Sequence, residues 1–479
     1  MKSPGILVID CGTSSSRAVI YDPAGQMVLY HSCPTTVSRP GPDRVEADPV
    51  ALLAAIDQVL TSALAEATDR WIQIEAIALA SQRSSFLAWD TGNNRPMTPI
   101  LSWADARAAS LMDRYQADWG QIVQKTGVTP SPYYGGPKWA SLVMEQPDLA
   151  QGMRAGNVKF IPVETLIIHH LTGNYFIDES LAGRTMCFDI PKRQWDANLV
   201  TLFGLMPDGL PDIVTSFAEY GYYRSTVGEI PLRLALGDQQ AAMYGLGARN
   251  RDELAINFGT SASVALNLGP IPRLEPGLLT NIAYSDGQSI DYLLEGTING
   301  CGSLMRWLGD QIGNDKLVKI WDDFISASTD LILIPGINGL AAPYWQPHVP
   351  TTFIPDAEYP VPDKVRAAME SIGFLIKDIT EAMEWQPAGG SDMVHCGGGM
   401  ARPPMLQFVA DLLDHPVARH PDRNVTAFGA ASRLAARLGY DDFDAEPTIS
   451  EELFSPTDDR RYVDARIMKW RTELGRIIN

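Results

Sequence analysis

Cysteine is scarce in this sequence, and none of the five cysteines stands in a Cys-x-x-Cys pair. A scattered, odd number of thiols is typical of a reducing compartment and excludes a scaffold held together by disulfides. The first residues run directly into an apolar segment, without the charged and apolar regions of a signal peptide. We therefore expect a protein of the cytoplasm.

The sequence also lacks an uninterrupted apolar run of the about 18–20 residues that cross a bilayer. Basic residues are in deficit, since 38 lysines and arginines stand against 57 acidic residues and give a formal net charge of −19. An acidic chain is repelled by nucleic acids and by anionic membranes. We therefore expect neither a membrane span nor a nucleic-acid partner. To bind an anionic nucleotide, such a chain would need backbone amides, an arginine and a metal ion that offset the negative charge at the site.

Residues 7–20 form the most informative stretch of the chain. An apolar run ends at Asp10, passes a glycine and four consecutive hydroxyl residues, and enters a second apolar run. This pattern predicts a tight hairpin whose turn is lined with backbone N–H groups and hydroxyls, which can wrap phosphate oxygens. Asp10, at the end of the first strand, is placed to hold a divalent cation against that phosphate.

The same pattern recurs at residues 256–266, with Asn257 in the place of the aspartate. A single Gly-Thr-Ser turn is more often an ordinary hairpin than a phosphate site. Two copies indicate two related domains that face each other, each with a phosphate loop, as in a kinase or an ATPase. At 479 residues the chain exceeds the about 250–300 at which a single core stops growing. We place the domains at residues 1–245 and 246–479.

Two further predicted strands end in charged side chains. Arg83 follows a buried strand at residues 74–80, and Asp238 follows another at 232–236, directly before a helix. Ligands of open α/β sheets bind at such strand ends. A carboxylate at a helix N-terminus is held ionised and can take a proton from an attacking hydroxyl. Alone, Arg83 would more often be a surface arginine and Asp238 an N-cap, but the second hairpin close by favours a general base.

Glycine is concentrated at residues 397–399, between a predicted strand and a helix that begins at Pro403. Because glycine has no side chain, the backbone can approach a flat ligand closely here. The stretch suits either a clamp for adenosine or an ordinary tight turn, and the sequence alone leaves both interpretations open.

Taken together, these segments resemble the FGGY carbohydrate kinases, and among them the glycerol kinases most closely. The resemblance runs from Leu7 to about Gly439. It implies an α/β, two-domain actin-like or hexokinase-like (ribonuclease H-like) ATPase fold with an interdomain cleft. The segments that carry the resemblance are residues 10–17, 82–83, 102–103, 132–133, 184–186, 237–242 and 342–345.

The resemblance also implies ATP-dependent phosphorylation of a terminal hydroxyl of a small polyol or sugar, with Asp238 as general base. Magnesium would be held by Asp10. The acceptor would be bound by Arg83, Ser84, Trp103, Tyr133, Asp238 and Gln239. ATP would be bound by Thr13, Ser14, Ser15, Arg17, Gly259, Thr260, Gly302, Gly398, Gly399 and Arg402.

Ser84 is the main departure from the glycerol kinases. They carry at this position a glutamate that hydrogen-bonds the polyol, and its loss removes a charge-assisted acceptor and leaves a larger space. A four- or five-carbon polyol or ketose would fill that space, so kinases of ribulose, xylulose or erythritol are alternatives. The Met-His-Gly sequence of xylulokinases is absent here, which makes a standard xylulokinase less favoured.

A nucleotide-binding regulator without sugar kinase activity is an alternative of another class. The family's usual Gly-x-Thr-Arg-Gly block is absent after Trp345, and Arg402 stands where glycerol kinases have an asparagine. The presence of Asp10, Asp238 and both Gly-Thr turns argues against this alternative. A homodimer and a homotetramer are both compatible with the sequence.

Overall fold

The computed structural model describes residues 2–313, 317, 320–321, 328–387, 393–421, 424–443 and 452–478. Helices and strands alternate through both halves of the chain, as expected of an α/β protein. The strands up to residue 245 are β1 (Ser3–Cys11), β2 (Ser15–Tyr21), β3 (Met27–Pro34), β4 (Ser38–Gly41), β5 (Arg44–Ala47), β6 (Ile72–Ser81), β7 (Phe86–Asp90), β8 (Arg95–Pro96), β9 (Ile100–Leu101), β10 (Val158–Pro162), β11 (Phe176–Asp178), β12 (Phe188–Asp189), β13 (Gln194–Trp195), β14 (Asp212–Val214), β15 (Phe217–Ser225) and β16 (Gly228–Gly237).

The helices of this half lie mostly on the outside of its sheets. They are α1 (Pro49–Asp69), α2 (Trp119–Thr126), α3 (Gly135–Glu145), α4 (Asp148–Arg154), α5 (Val163–Thr172), α6 (Glu179–Ala182), α7 (Ala197–Leu202) and α8 (Asp238–Leu246). Two 3₁₀ helices complete it, at Ala109–Asp118 and Pro207–Gly209.

The second half has the same mixture of elements. Its described strands are β17 (Leu254–Phe258), β18 (Ala262–Gly269), β19 (Leu279–Ser285), β20 (Ile290–Ile298), β21 (Ile332–Ile334), β22 (Thr352–Ile354), β23 (Val394–Gly397), β24 (Val417–Arg419) and β25 (Glu452–Phe454). Its described helices are α9 (Gly302–Ile312), α10 (Val361–Ala382), α11 (Pro403–Leu413), α12 (Val425–Leu438) and α13 (Arg461–Ile478).

The main sheets of the two halves share one plan. The first has the order β15-β16-β6-β1-β2-β3, and the second has the order β19-β20-β18-β17-β23-β24-β25. In each, a central strand pairs antiparallel with its hairpin partner on one side and parallel with a later strand on the other. The repeated sequence pattern therefore coincides with a repeated strand arrangement, and each hairpin turn lies at the same end of its sheet.

Helix α1 begins at Pro49, directly after Asp48. The Asp48 carboxylate accepts a hydrogen bond from the backbone N–H of Val50 at 2.8 Å, as an N-cap does. By length and composition this helix would pass for a membrane span. Its buried face, which includes Leu52, Ile56 and Leu60, instead joins the core of the first half. It is therefore a core helix of the folded domain.

The two halves share a hydrophobic core where α8 packs against α12. Residues of β16 and α8 from the first half, and of β17 and α12 from the second, belong to the same buried cluster. At the crossing, a Cβ added to Gly429 would lie 1.9 Å from the carbonyl oxygen of Ala241, and one added to Gly245 would lie 1.9 Å from that of Val425. Only glycine at both positions allows this close approach.

We expect Gly429→Ala to push the two helices apart, because the clashing atom is backbone and cannot rotate away. The loss of stability should be about 1–3 kcal/mol despite the better helix propensity of alanine. Chemical denaturation monitored by circular dichroism measures it. Gly120→Ala is the matched control, since Gly120 also lies in a helix but has open space around its Cβ position. A Gly429→Ala protein as stable as the control would contradict the tight packing.

Candidate active site

The first hairpin, residues 10–17, closes a short turn between β1 and β2. The N–H of Gly12 donates to the carbonyl of Ser15 at 3.1 Å, and the Thr35 hydroxyl donates to the carbonyl of Thr13 at 3.0 Å. The side of the turn formed by Ser14 is exposed. The backbone of the turn is thus fixed while its surface stays accessible to a ligand.

Asp10 and Arg17 lie opposite each other at the base of this hairpin. Their side chains form an ion pair, with Arg17 Nη1 2.7 Å from Asp10 Oδ2. Burial raises the pKa of the Asp10 carboxyl, and the charge and hydrogen bond of Arg17 oppose that rise. The arginine is partly exposed and the aspartate is buried, so the pair presents a cation toward the turn and a carboxylate behind it.

The second hairpin, residues 257–263, is held by the start of α9. The backbone N–H groups of Gly302 and Ser303 donate to the carbonyls of Gly259 and Thr260, each at 3.0 Å. A Cβ on Gly302 would lie 2.7 Å from the Gly259 oxygen, so the two backbones touch. Three predicted nucleotide-site residues are therefore in direct contact here.

The glycine-rich stretch after β23 reaches the same hairpin. Gly398 has a φ of +96°, and a Cβ there would lie 2.4 Å from the carbonyl oxygen of Phe258. Its neighbour Gly399 is exposed, with open space where a side chain would stand. Arg402 occupies the N-cap position of α11. The structure thus joins Gly398 to the second hairpin and leaves Gly399 facing solvent.

Asp238 lies between the two hairpins, at the junction of β16 and α8. Its carboxylate is 26% exposed, accepts a hydrogen bond from the N–H of Gln239 at 2.8 Å, and lies 3.6 Å from Arg83 Nε. Burial raises the pKa of Asp238 to about 6, against the attraction of Arg83 and with repulsion from Asp10 and Glu295. The residue is therefore a desolvated carboxylate with a near-neutral pKa, open on one side to the cleft.

Gln239 connects Asp238 to the second half of the chain. Its side-chain oxygen accepts a hydrogen bond from the amide of Asn257 at 3.3 Å. Asn257 has the same place at the end of β17 that Asp10 has at the end of β1. Both hairpins are consequently within electrostatic or hydrogen-bonding reach of the residues around Asp238.

Arg83 is buried, and its strongest contact is with a residue from the other half. Its Nη1 and Nη2 donate to the two carboxylate oxygens of Glu295 at 2.8 and 2.7 Å. Burial would raise the pKa of Glu295, but the charge and hydrogen bonds of Arg83 outweigh it and lower this pKa to about 2. Sequence reasoning missed Glu295. The available signal was an acid in the middle of the mostly buried strand β20, where a charged side chain is tolerated only with a partner.

The other predicted acceptor residues line the loops beside Arg83. Trp103 is 41% exposed, and its indole N–H donates to the Thr13 hydroxyl at 2.8 Å, which links the acceptor side to the first hairpin. Ser84 is buried in a left-handed conformation, with φ +59°, and its hydroxyl has no hydrogen-bond partner among the described residues. Tyr133 is 38% exposed, whereas Tyr134 is buried beneath the guanidinium of Arg184.

Lys138 supports the backbone at Ser84 and Ser102 from the buried side. Sequence reasoning did not identify it. Its fully buried ammonium donates to the backbone carbonyls of Ser84 and Ser102, both at 2.6 Å. Burial lowers the pKa of Lys138 to about 7, although the charge of Asp105 opposes this. A neutral amine keeps two N–H donors, so both carbonyls are satisfied in either protonation state. Lys138 therefore fixes the backbone on which Ser84 and Trp103 stand.

No cluster of three or more histidine, cysteine or acidic side chains that could hold a metal occurs in the described part of the chain. The donors nearest to both hairpins are the carboxylates of Asp10 and Asp238, which repel each other. The hard oxygens of Asp10 suit Mg²⁺, which is usually bound by one or two carboxylates together with substrate phosphates. The side chains present therefore fit a magnesium–phosphate ligand.

Residues 5–245 match the N-terminal domain of the FGGY family of carbohydrate kinases, and residues 254–438 match its C-terminal domain. The chain is 30% identical to a glycerol kinase of Thermococcus onnurineus, covering 98% of this chain and 97% of the relative. It is 29% identical to an apulose kinase of Pectobacterium atrosepticum, covering 99% of each.

Among solved structures, the Plasmodium falciparum glycerol kinase with ADP superposes with a TM-score of 0.88. The two are 24% identical in sequence, and the match covers 100% of this chain and 99% of that one. This similarity confirms the predicted two-domain, actin-like α/β fold.

We expect Lys138→Met to destabilise the protein by about 1–3 kcal/mol, because two buried carbonyls lose their donor. Urea unfolding followed by tryptophan fluorescence measures the change. Lys159→Met is the matched control, since Lys159 also donates to two carbonyls, those of Asp208 and Leu210, but at a partly exposed site. Equal losses in the two variants would contradict a special role for the buried ammonium.

Proposed function

Since this chain belongs to the FGGY family of carbohydrate kinases, we propose that it transfers the γ-phosphate of ATP to a terminal hydroxyl of a small polyol or sugar. One observation carries the proposal. The Asp238 carboxylate lies at a strand end between two hydroxyl-rich hairpins, with a raised pKa and an opening to the cleft. That is the environment a general base for an alcohol acceptor requires.

In this mechanism Asp238 accepts the proton of the acceptor hydroxyl while the hydroxyl oxygen attacks the γ-phosphorus in line. A base with a pKa of about 6 is ionised at neutral pH and is a stronger proton acceptor than an ordinary aspartate. Trp103 and Tyr133, both partly exposed, provide walls that orient the acceptor. Gln239 connects the base to the second hairpin through Asn257.

The hairpins bind the phosphates of ATP. Thr13, Ser14 and Ser15 offer amides and hydroxyls from the first hairpin. In the second hairpin Thr260 offers its amide, while the N–H of Gly259 donates to the Ser261 carbonyl at 2.9 Å and shapes the turn. Arg17 adds a positive charge beside Asp10. Asp10 would hold Mg²⁺, which when bound offsets the negative charge of the phosphates. Gly302, Gly398, Gly399 and Arg402 lie on the side where the adenosine is expected.

The acceptor is proposed from the residues around Ser84. The relatives include kinases named for glycerol and for apulose, so both a triol and a branched sugar are within the range of the family. Ser84 lacks the carboxylate that glycerol kinases carry here, and the smaller side chain leaves room for an acceptor larger than glycerol. We therefore keep a ketopentose or tetritol kinase as the second candidate.

A panel assay separates these candidates. The purified protein is mixed with ATP, Mg²⁺ and one of glycerol, erythritol, ribulose, xylulose or apulose, and ADP release is measured. A kcat/KM for glycerol above all others would support glycerol kinase activity, and a higher value for a four- or five-carbon acceptor would support the second candidate. ATP turnover that no acceptor stimulates would overturn the proposal in favour of a nucleotide-binding regulator.

We further propose that the protein acts in the cytoplasm as a homodimer or a homotetramer, with a domain boundary near residue 245. Light scattering coupled to gel filtration measures the mass of the assembly against the 52.4 kDa of one chain. Limited proteolysis with mass spectrometry tests the boundary.

Asp238→Asn should retain ATP binding and lower kcat by about 10² to 10⁴-fold, because the amide cannot accept the proton. Calorimetric titration with ATP and a turnover assay with the best acceptor of the panel check both parts. Asp48→Asn is the control, since Asp48 is also an aspartate at a helix start and asparagine caps a helix equally well. Near-normal turnover of Asp238→Asn would contradict the assignment of the base.

The activity should also fall on the acid side with a midpoint near pH 6. The folded-state pKa of Asp238 is raised, so the ionised, proton-accepting form is present above about pH 6 and is lost below it. We expect kcat/KM for the acceptor to decrease about tenfold per pH unit below that midpoint. Rates measured between pH 5 and 9 test this. A rate that stays constant down to pH 5 would contradict a base with the raised pKa of Asp238.

A further inference from the structure

Glu295 is a buried carboxylate that three side chains surround. It accepts hydrogen bonds from both Nη atoms of Arg83 and from the Ser263 hydroxyl at 2.9 Å, and Arg184 Nη1 lies 3.8 Å away. Only 1% of its side chain is exposed. No acceptor can therefore reach Glu295 directly in this arrangement, and its effect must pass through the groups that it holds.

Arg83 has a carboxylate on each of two sides, one from each half of the chain. Its planar fork, Nη1 and Nη2, points to Glu295, and only Nε faces Asp238, at 3.6 Å. That distance is longer than a hydrogen bond. The guanidinium therefore attracts Asp238 through its charge without occupying the carboxylate oxygens.

Glu295 and Asp238 compete for the paired Nη1 and Nη2 donors of Arg83. A guanidinium that gives both Nη donors to one carboxylate cannot make the same bidentate pair with another. If Arg83 turned its fork to Asp238, it would occupy the lone pairs that an acceptor hydroxyl needs and would make the aspartate a weaker base. The observed orientation avoids both effects.

We propose that Glu295 is a positioning residue for phosphoryl transfer, which holds the fork of Arg83 and so leaves the Asp238 carboxylate free to accept the proton of the acceptor. The inference rests on the proposed function, because it takes Asp238 as the base. Under this proposal, Glu295 of the second half of the chain controls how strongly Asp238 of the first half accepts a proton.

The charged groups that face Asp238 are Arg83, Asp10, Glu295 and Arg184. Arg17 acts on this set through its pair with Asp10. Two atoms of the Arg184 guanidinium, Nε and Nη1, are buried without a hydrogen-bond partner. Without the charge of Glu295, the guanidinium groups of Arg83 and Arg184 would still lie near the Asp238 carboxylate. Both would then stabilise its ionised form.

The test is the titration of Asp238 itself in Glu295→Gln. The protein is labelled with ¹³C at the aspartate side-chain carboxyl, and the Asp238 resonance is assigned by its absence in Asp238→Asn. We expect the titration midpoint to move down by about one pH unit or more, as for a carboxylate that gains an arginine partner. With the best acceptor of the panel, kcat should fall about tenfold while the KM for ATP stays unchanged.

Glu370→Gln is the matched control. Glu370 is another fully buried glutamate paired with arginines, Arg366 and Arg466, and it lies in the helical part of the second half. This variant should lose stability and leave the Asp238 midpoint where it is. Glu295→Asp provides a milder change, which keeps the charge but withdraws the carboxylate by one methylene group, and should shift the midpoint in the same direction by less.

A folded Glu295→Gln protein with an unchanged midpoint, or an equal shift in Glu370→Gln, would overturn the inference. If Glu295→Gln does not fold, Glu295→Asp decides, and an unchanged midpoint there overturns it as well. The titration requires no acceptor, so it is independent of the panel assay. Failure of the proposed function would instead be seen in the wild type, as ATP turnover that no acceptor stimulates.

Discussion

A guanidinium and a carboxylate are stable in a protein interior only when each satisfies the hydrogen bonds of the other. Arg83 and Glu295 meet this condition with two nearly parallel bonds, and they do so across the two halves of the chain. Arg83 lies two residues after the end of strand β6 of the first sheet, and Glu295 lies within strand β20 of the second. The pair therefore fixes the floor of the cleft, and the environment of Asp238 depends on it.

The two main sheets share one plan, so both hairpins approach the residues around Asp238. The hairpins differ at one equivalent position, and this difference sets the charge that each contributes. The first hairpin supplies a carboxylate, Asp10, and the second an amide, Asn257, at the equivalent position. A third carboxylate would raise the pKa of Asp238 further and would repel phosphate. The amide donates to Gln239 instead. Under the proposed function, this difference leaves Asp10 for a cation and Asp238 as the free base.

Local sequence signals predicted the hairpins and the place of Asp238, because each depends on residues that are close together in the chain. The family and the fold class followed from the same segments and are confirmed by the domain matches and the solved relative. Glu295 and Lys138 could not be predicted in the same way. Their partners, Arg83 and the Ser84 carbonyl, are 212 and 54 residues away, and no local pattern connects them.

The close contact of Gly245 and Gly429 has a consequence for evolution and engineering. Because the helices that carry them touch through backbone atoms, a half taken from a relative would fit only if its glycine stood at the matching turn. The same graft would also have to supply a carboxylate for Arg83. A chimera that joins halves from two members of this family should therefore be stable only where both glycines and the carboxylate are matched.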